Sequence, residues 1–146
     1  MSVESILIAD DDFDLVEILR ARCEQLGLKV YTAYYAFNAL NVIYDREPDL
    51  VCLDLNMPGG NGFSVLEMLV HNDALAGTPV IIMTGDRDQA TIRRCYDLCA
   101  FYVEKSNHVW ARLEPLMQEL LRGPVPIGGA PLAAARQPIS QLAGSQ

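Results

Sequence analysis

Ile6-Leu7-Ile8-Ala9-Asp10-Asp11-Asp12 is the stretch that decides the fold. Four apolar residues without alternation read as a parallel strand covered on both faces, and the run breaks directly into three carboxylates. Leu50-Val51-Cys52-Leu53 repeats the pattern and ends on Asp54. Val80-Ile81-Ile82-Met83 ends on Thr84, and Phe101-Tyr102-Val103 is followed two residues later by Lys105. A weaker run over residues 30–33 mixes polar positions and suits an edge strand.

Between these runs the period turns helical. Leu15, Ile18, Leu19, Arg22, Cys23 and Leu26 follow i, i+3, i+4 spacing, with Gly27 as the C′ residue. Further helices are predicted over 36–44, closed by Glu47-Pro48, and over 63–70, with Phe63, Leu66 and Leu69 or Val70 inward. A fourth covers 88–98, with Ile92, Cys95 and Cys99 on one face. A fifth covers 108–121, with Trp110, Leu113, Met117, Leu120 and Leu121 in register. Pro115 inside the fifth should kink it or delay its start. Five strands alternating with five helices predict an α/β fold: a flavodoxin-like, doubly wound, five-stranded parallel sheet in the order 2-1-3-4-5. Such a sheet gathers all strand C-termini at one edge, and ligand chemistry is expected where the strand order reverses.

The chain has 146 residues, 51% hydrophobic, enough for one packed domain. Residues 123–146 differ: thirteen of the 24 are Gly, Pro or Ala, which reads as a flexible tail or linker after a domain over 1–122. The domain carries 10 basic and 19 acidic residues. That balance argues against direct nucleic-acid binding and against an anionic membrane surface. The absence of a transmembrane-length apolar stretch or a basic-apolar leader predicts a cytoplasmic protein. Cys23, Cys52, Cys95 and Cys99 form no CxxC pair and read as reduced, buried thiols. His71 and His108 are isolated, and Arg93 and Arg94 read as a solvated helix face.

The expected strand order makes strands one and three neighbours, so Asp10, Asp11 and Asp54 should converge. At about 5 Å and an effective dielectric near 20, each ionised pair costs roughly 3 kcal/mol. A bound cation or a proton relieves that cost, and a small all-oxygen ligand set favours Mg²⁺. A helix N-cap would account for residues 10–14 but not for Asp54, which closes an apolar strand. Thr84 and Lys105 belong to the same edge and can bind phosphoryl oxygens.

With these residues in place, residues 4–122 resemble a receiver domain of the two-component response-regulator family. The acidic run after the first strand carries the resemblance, together with D-x-x-M-P-x-x-x-G over residues 54–62, Thr84-Gly85, and Tyr102 three residues before Lys105. The resemblance implies that Asp54 is the phosphoacceptor. Asp11, the Asp54 carboxylate and the Asn56 carbonyl would bind Mg²⁺, with Asp10 acting mainly through water. Thr84 and Lys105 would hold the phosphoryl group, and Tyr102 would change rotamer with Thr84. It also implies that Asn56 and Asp86 orient the water that removes the phosphate. The implied partner is a sensor histidine kinase or histidine phosphotransfer protein. The pattern departs from the family at Ser106, where proline usually follows the lysine, often in a cis peptide, and at residues 97–100, which lack the usual glycine.

Two other readings compete. A small phosphatase resembling the haloacid dehalogenase-like class would use a D-x-D at Asp10 and Asp12, or at Asp12 and Asp14, but leaves no room for a cap domain. A binding protein on the same fold would not need the full acidic set, Thr84 and Lys105. A receiver would catalyse only its own phosphorylation and dephosphorylation, so no enzyme turning over an external substrate is expected.

Overall fold

The computed structural model describes residues 3–59 and 62–121, so the predicted tail over 123–146 lies outside the described residues. Ten elements alternate: β1 Ser5–Ala9, α1 Phe13–Gln25, β2 Lys29–Ala33, α2 Ala36–Arg46, β3 Leu50–Asp54, α3 Gly62–Val70, β4 Val80–Thr84, α4 Gln89–Asp97, β5 Phe101–Glu104 and α5 Val109–Leu121. All strand pairs are parallel, in the order β2-β1-β3-β4-β5. The weak second run is the edge strand, as its polar positions indicate.

β1, β3 and β4 are buried along their whole length because helices cover both faces. Ile6, Ile8, Cys52, Ile81 and Met83 pack against Val16, Leu19 and Cys23 of α1 and Leu113 and Met117 of α5. Leu7, Ala9, Val51, Leu53 and Ile82 pack against Ala39 and Ile43 of α2 and Val65, Leu66 and Leu69 of α3. α4 sends one buried side chain to each cluster, Ile92 to the first and Cys95 to the second.

Several sequence expectations are corrected. The buried stripe of α1 is Val16, Leu19 and Cys23, while Ile18 is 55% exposed. The stripe is rotated by part of a turn because the row Val16, Leu19 and Cys23 is the one packed against the sheet and α5, with Leu15 partly buried at its edge. Val70 faces outward on α3, and Trp110 sits half-buried at the rim of the core, under the Arg22 guanidinium. Of the two effects expected of Pro115, the delayed start is absent, since α5 starts at Val109 and runs through it. Cys99 is exposed and lies beyond α4. Arg94 is no free surface charge, since it pairs with Glu67 at 2.8 Å and lies 4.2 Å over the Phe63 ring.

The Cys99 correction has a local cause. α1 ends in a Schellman motif, with Leu28 N–H donating to the Cys23 carbonyl and Gly27 N–H to that of Glu24. Gly27 adopts the left-handed φ of +86° that the motif needs. α4 ends in the same way, with Ala100 N–H on the Cys95 carbonyl and Cys99 N–H on that of Tyr96. There the left-handed position, φ +62°, is filled by Cys99, whose side chain the turn directs away from the sheet. The missing glycine before β5 is therefore replaced in its conformation but not in its ease of adopting it.

Gly62 places α3 hard against the end of β3. Its N–H donates to the Leu55 carbonyl at 3.0 Å, and a Cβ there would lie 2.6 Å from the Asp54 carbonyl oxygen and 2.8 Å from the Leu55 Cα. Backbone atoms cannot yield as a flexible side chain can. Gly62→Ala is expected to destabilise the fold by about 1–3 kcal/mol in denaturant unfolding. Gly77→Ala, whose Cβ would meet nothing within 4 Å, should leave stability nearly unchanged. Equal midpoints for both variants would contradict this packing.

Candidate functional site

The site is built by continuing the strand ladders past their last apolar residues. Ala9 pairs with Leu53, so Asp10 and Asp54 follow side by side, and Asp54 pairs with Met83 just before Thr84. Asp10 N–H donates to the Ala33 carbonyl and Lys105 N–H to the Thr84 carbonyl, which fixes both backbones at the edge. Asp10 and Thr84 are fully buried, and Asp54 is 3% exposed.

Lys105 bridges the two buried carboxylates. Its Nζ lies 2.9 Å from Asp10 Oδ2 and 3.7 Å from Asp54 Oδ2. Asp10 Oδ1 also accepts the Asp12 N–H at 3.0 Å, and Asp54 Oδ1 accepts the Asn56 N–H at 3.3 Å. Asp11 is exposed at the mouth. Asp10, Asp11 and Asp54 each bring one carboxylate oxygen to within 4.8 Å of the others. Asp12 stands apart as the N-cap of α1, accepting the Leu15 N–H at 3.1 Å. The acidic run thus divides its work, with one residue capping the helix and two joining Asp54.

Burial pushes the Asp54 carboxyl above its ordinary pKa, more than Lys105 and the Asn56 N–H pull it down. Burial likewise raises Asp10 against its hydrogen bond to Lys105. Burial by itself would lower the Lys105 ammonium, but the hydrogen bond and charge of Asp10, with help from Asp54 and Asp12, hold it above its ordinary value. Two buried carboxylates therefore share one ammonium beside the exposed Asp11, leaving an excess of negative charge.

The donor set suits a small hard cation. Octahedral Mg²⁺ at about 2.1 Å from each oxygen needs ligand oxygens roughly 3–4 Å apart, so the three carboxylates need only a modest contraction. The backbone after β3 turns beside them at Asn56, which is exposed.

Thr84 Oγ1 accepts the Asp86 N–H at 3.1 Å. Tyr102 is 6% exposed, and its hydroxyl donates to the Asp86 carbonyl at 3.2 Å. The exposed Asp86 carboxylate bonds toward α4: Oδ1 accepts the Asp88 N–H at 2.8 Å and Oδ2 the Thr91 hydroxyl at 2.9 Å. The sequence reading overlooked Thr91, whose only signal was its spacing of five from Asp86. No cis peptide occurs among the described residues, so Lys105-Ser106 is trans, and Lys105 still reaches both carboxylates. Gly60 and Asn61 of the D-x-x-M-P-x-x-x-G stretch lie outside the described residues.

The remaining thiols are set apart from this chemistry. Burial pushes Cys23 up to about 12, Cys95 up to about 11 and Cys52 well above the ordinary range. No helix among the described residues is long and apolar enough to cross a membrane.

The model of the response regulator receiver domain matches residues 6–109. The signal receiver domain of a DNA-binding response regulator (merR) from Colwellia psychrerythraea 34H is 32% identical, with TM-score 0.75 over 82% of this chain and 98% of that one. The non-phosphorylated HemR receiver domain from Leptospira biflexa is 31% identical, with TM-score 0.73 over 80% of this chain and 94% of that one. Chemotaxis response regulator CheY4 of Vibrio cholerae, 19% identical, shares the fold with TM-score 0.72 over 80% and 98% of the two chains.

The charge excess has a thermodynamic consequence. A carboxyl whose folded pKa is raised weakens the fold as pH climbs from the ordinary value, 3.8, through the raised one, and costs nothing below both. Asp54→Asn should therefore stabilise the protein at pH 7.5 by on the order of 1–2 kcal/mol, a few degrees in Tm. The gain should fade as pH falls toward 4. Thermal scans of the two proteins across that range check it, and a variant less stable than wild type at pH 7.5 would contradict it.

Proposed function

The chain belongs to the response regulator receiver domain family of two-component signalling, and on that footing we propose that it accepts a phosphoryl group on Asp54 and signals by a change of shape. The observation that carries this reading is the meeting of Asp10, Asp11 and Asp54 at one strand edge, with Lys105 Nζ 3.7 Å from Asp54 Oδ2. The donor is a phosphohistidine on a sensor kinase or phosphotransfer protein. Asp54 Oδ attacks phosphorus, a P–O bond forms, the P–N bond breaks, and the imidazole, already protonated on its other ring nitrogen, leaves with the bonding pair as neutral imidazole.

A carboxylate attacking an anionic phosphoryl group faces charge repulsion, and the site's own groups reduce it. Burial strips water from the Asp54 carboxylate, and Lys105 would offset charge on the transferring oxygens. The Thr84 hydroxyl accepts from Asp86 and keeps its own proton to donate to the phosphoryl group. Mg²⁺, held by Asp11, Asp54 and the Asn56 carbonyl with Asp10 acting through water, would supply the remaining positive charge when bound. The phosphatase reading is disfavoured because Asp12, its second motif carboxylate or its first, is committed to capping α1.

The phosphoryl group is lost when a water lines up opposite the scissile P–O bond. Asn56, exposed two residues past Asp54, is the residue we assign to orient it. The resemblance points to Asp86 as well, whose exposed carboxylate also accepts the Asp88 N–H and the Thr91 hydroxyl.

Two measurements test this. Incubated with Mg²⁺ and a small phosphodonor, the protein should gain one phosphoryl group by intact mass and Asp54→Ala none; equal labelling would sink the assignment. Asn56→Met should still be phosphorylated but hold the group longer. A lifetime change below about twofold, roughly 0.4 kcal/mol of barrier, would remove Asn56 from that role.

A further inference from the structure

Val70 and Cys99 are apolar positions that helical spacing offers to the core, yet both are exposed, and both line one cleft. The cleft lies at the edge of the sheet away from Asp54, where β4 and β5 begin and α3, α4 and α5 end. Its volume is about 310 Å³, and Leu75, Val80, Phe101 and Leu120 form part of its wall. Among the described residues no charged side chain lines it, in a chain with 11 basic and 19 acidic residues. Covering such a wall removes apolar surface from water.

The chain itself supplies a segment that matches. α5 ends at Leu121, the residue after Leu120 of the wall. Val125 and Ile127 are the first large apolar residues beyond it, and residues 123–135 carry no charge. Val125 is four residues past Leu121, a reach of at most about 14 Å. Pro124 and Pro126 flank Val125, and Pro126 disfavours helical backbone there. A segment so restricted has less freedom to lose when it binds. Because it is tethered beside the cleft, even a modest apolar fit is enough to populate the contact.

We propose that residues 124–127 dock in this cleft of their own chain, with Val125 and Ile127 set against Leu75, Phe101 and Leu120, and cover Val70 and Cys99. The residues after Ile127 then start from the beginning of β4 and β5, at the edge opposite Asp54, instead of from the end of α5. Docking involves no group of the acidic site, so it stands apart from phosphoryl transfer.

Cys99 reports on the cleft, because Cys23, Cys52 and Cys95 are buried. The full chain is labelled with a maleimide under native conditions, and the rate at Cys99 is read by peptide mass. The double variant Val125→Asp, Ile127→Asp should label Cys99 about fivefold faster than wild type, the ratio for a segment docked about four-fifths of the time. Ile139→Asp with Leu142→Asp, which adds the same charge farther along, should match wild type. In wild type, nuclear Overhauser contacts should join the Val125 and Ile127 methyls to Leu75 and Phe101. Equal Cys99 rates in wild type and the first double variant overturn the docking, as does the absence of those contacts. Equal acceleration by the second double variant overturns the choice of segment. Wild-type labelling that slows as protein concentration rises would make a second copy the occupant and overturn docking within one chain.

Discussion

One ammonium shared between two buried carboxylates is the constraint on which the site depends. Asp10 and Asp54 are held out of water by strands, and neither chose its surroundings: the ladders that pair Ala9 with Leu53 and Asp54 with Met83 put them there. Lys105 arrives by the same ladder logic from β5 and satisfies both partly. A pair of buried like charges with half a counterion each is unfavourable, and the apolar burial of β1, β3 and β4 is what makes it tolerable. The negative excess that remains is what a small cation held by Asp10, Asp11 and Asp54 would offset.

Around that fixed centre the structure grades from rigid to adjustable. β3 and α3 are locked together, because Gly62 lets helix backbone approach strand backbone with no room for a Cβ. α4 is the opposite case. It gives each core cluster one side chain, ends on a left-handed non-glycine residue, and owes its position to hydrogen bonds and an ion pair at its two ends. Contacts of that kind are directional and exchangeable, whereas apolar packing is neither. A fold that keeps Asp54 still while leaving one neighbouring helix on polar tethers has a place for a two-state response.

The residues that could be read from sequence are those fixed by local rules. Asp54, Thr84 and Lys105 were legible because each follows a strand whose continuous apolar run is visible by itself, and a parallel sheet allows only one edge for such ends. Gly27 was legible because a helix that stops needs a left-handed residue. Ile18 misled because two neighbouring apolar rows fit the helical spacing, and packing against the sheet decides which one is buried. Cys99 misled for a related reason: as an apolar residue four after Cys95 it fits the helix face, yet the turn that ends α4 directs it outward.

The amino-acid sequence by itself determined the strand-helix alternation, the sheet class and the group of polar residues at the strand ends, since those follow from periodicity and chain direction. Only the tertiary structure decided how those groups pair. It set Asp12 on a helix end and Asp10 on Lys105, joined the Asp86 carboxylate to Thr91, and bound Arg94 to Glu67 across 27 positions. The physical reason is range. Backbone period acts over a few residues, but a charge or hydrogen-bond donor takes whichever partner the packed chain brings within about 3 Å, and that choice exists only once every element is in place.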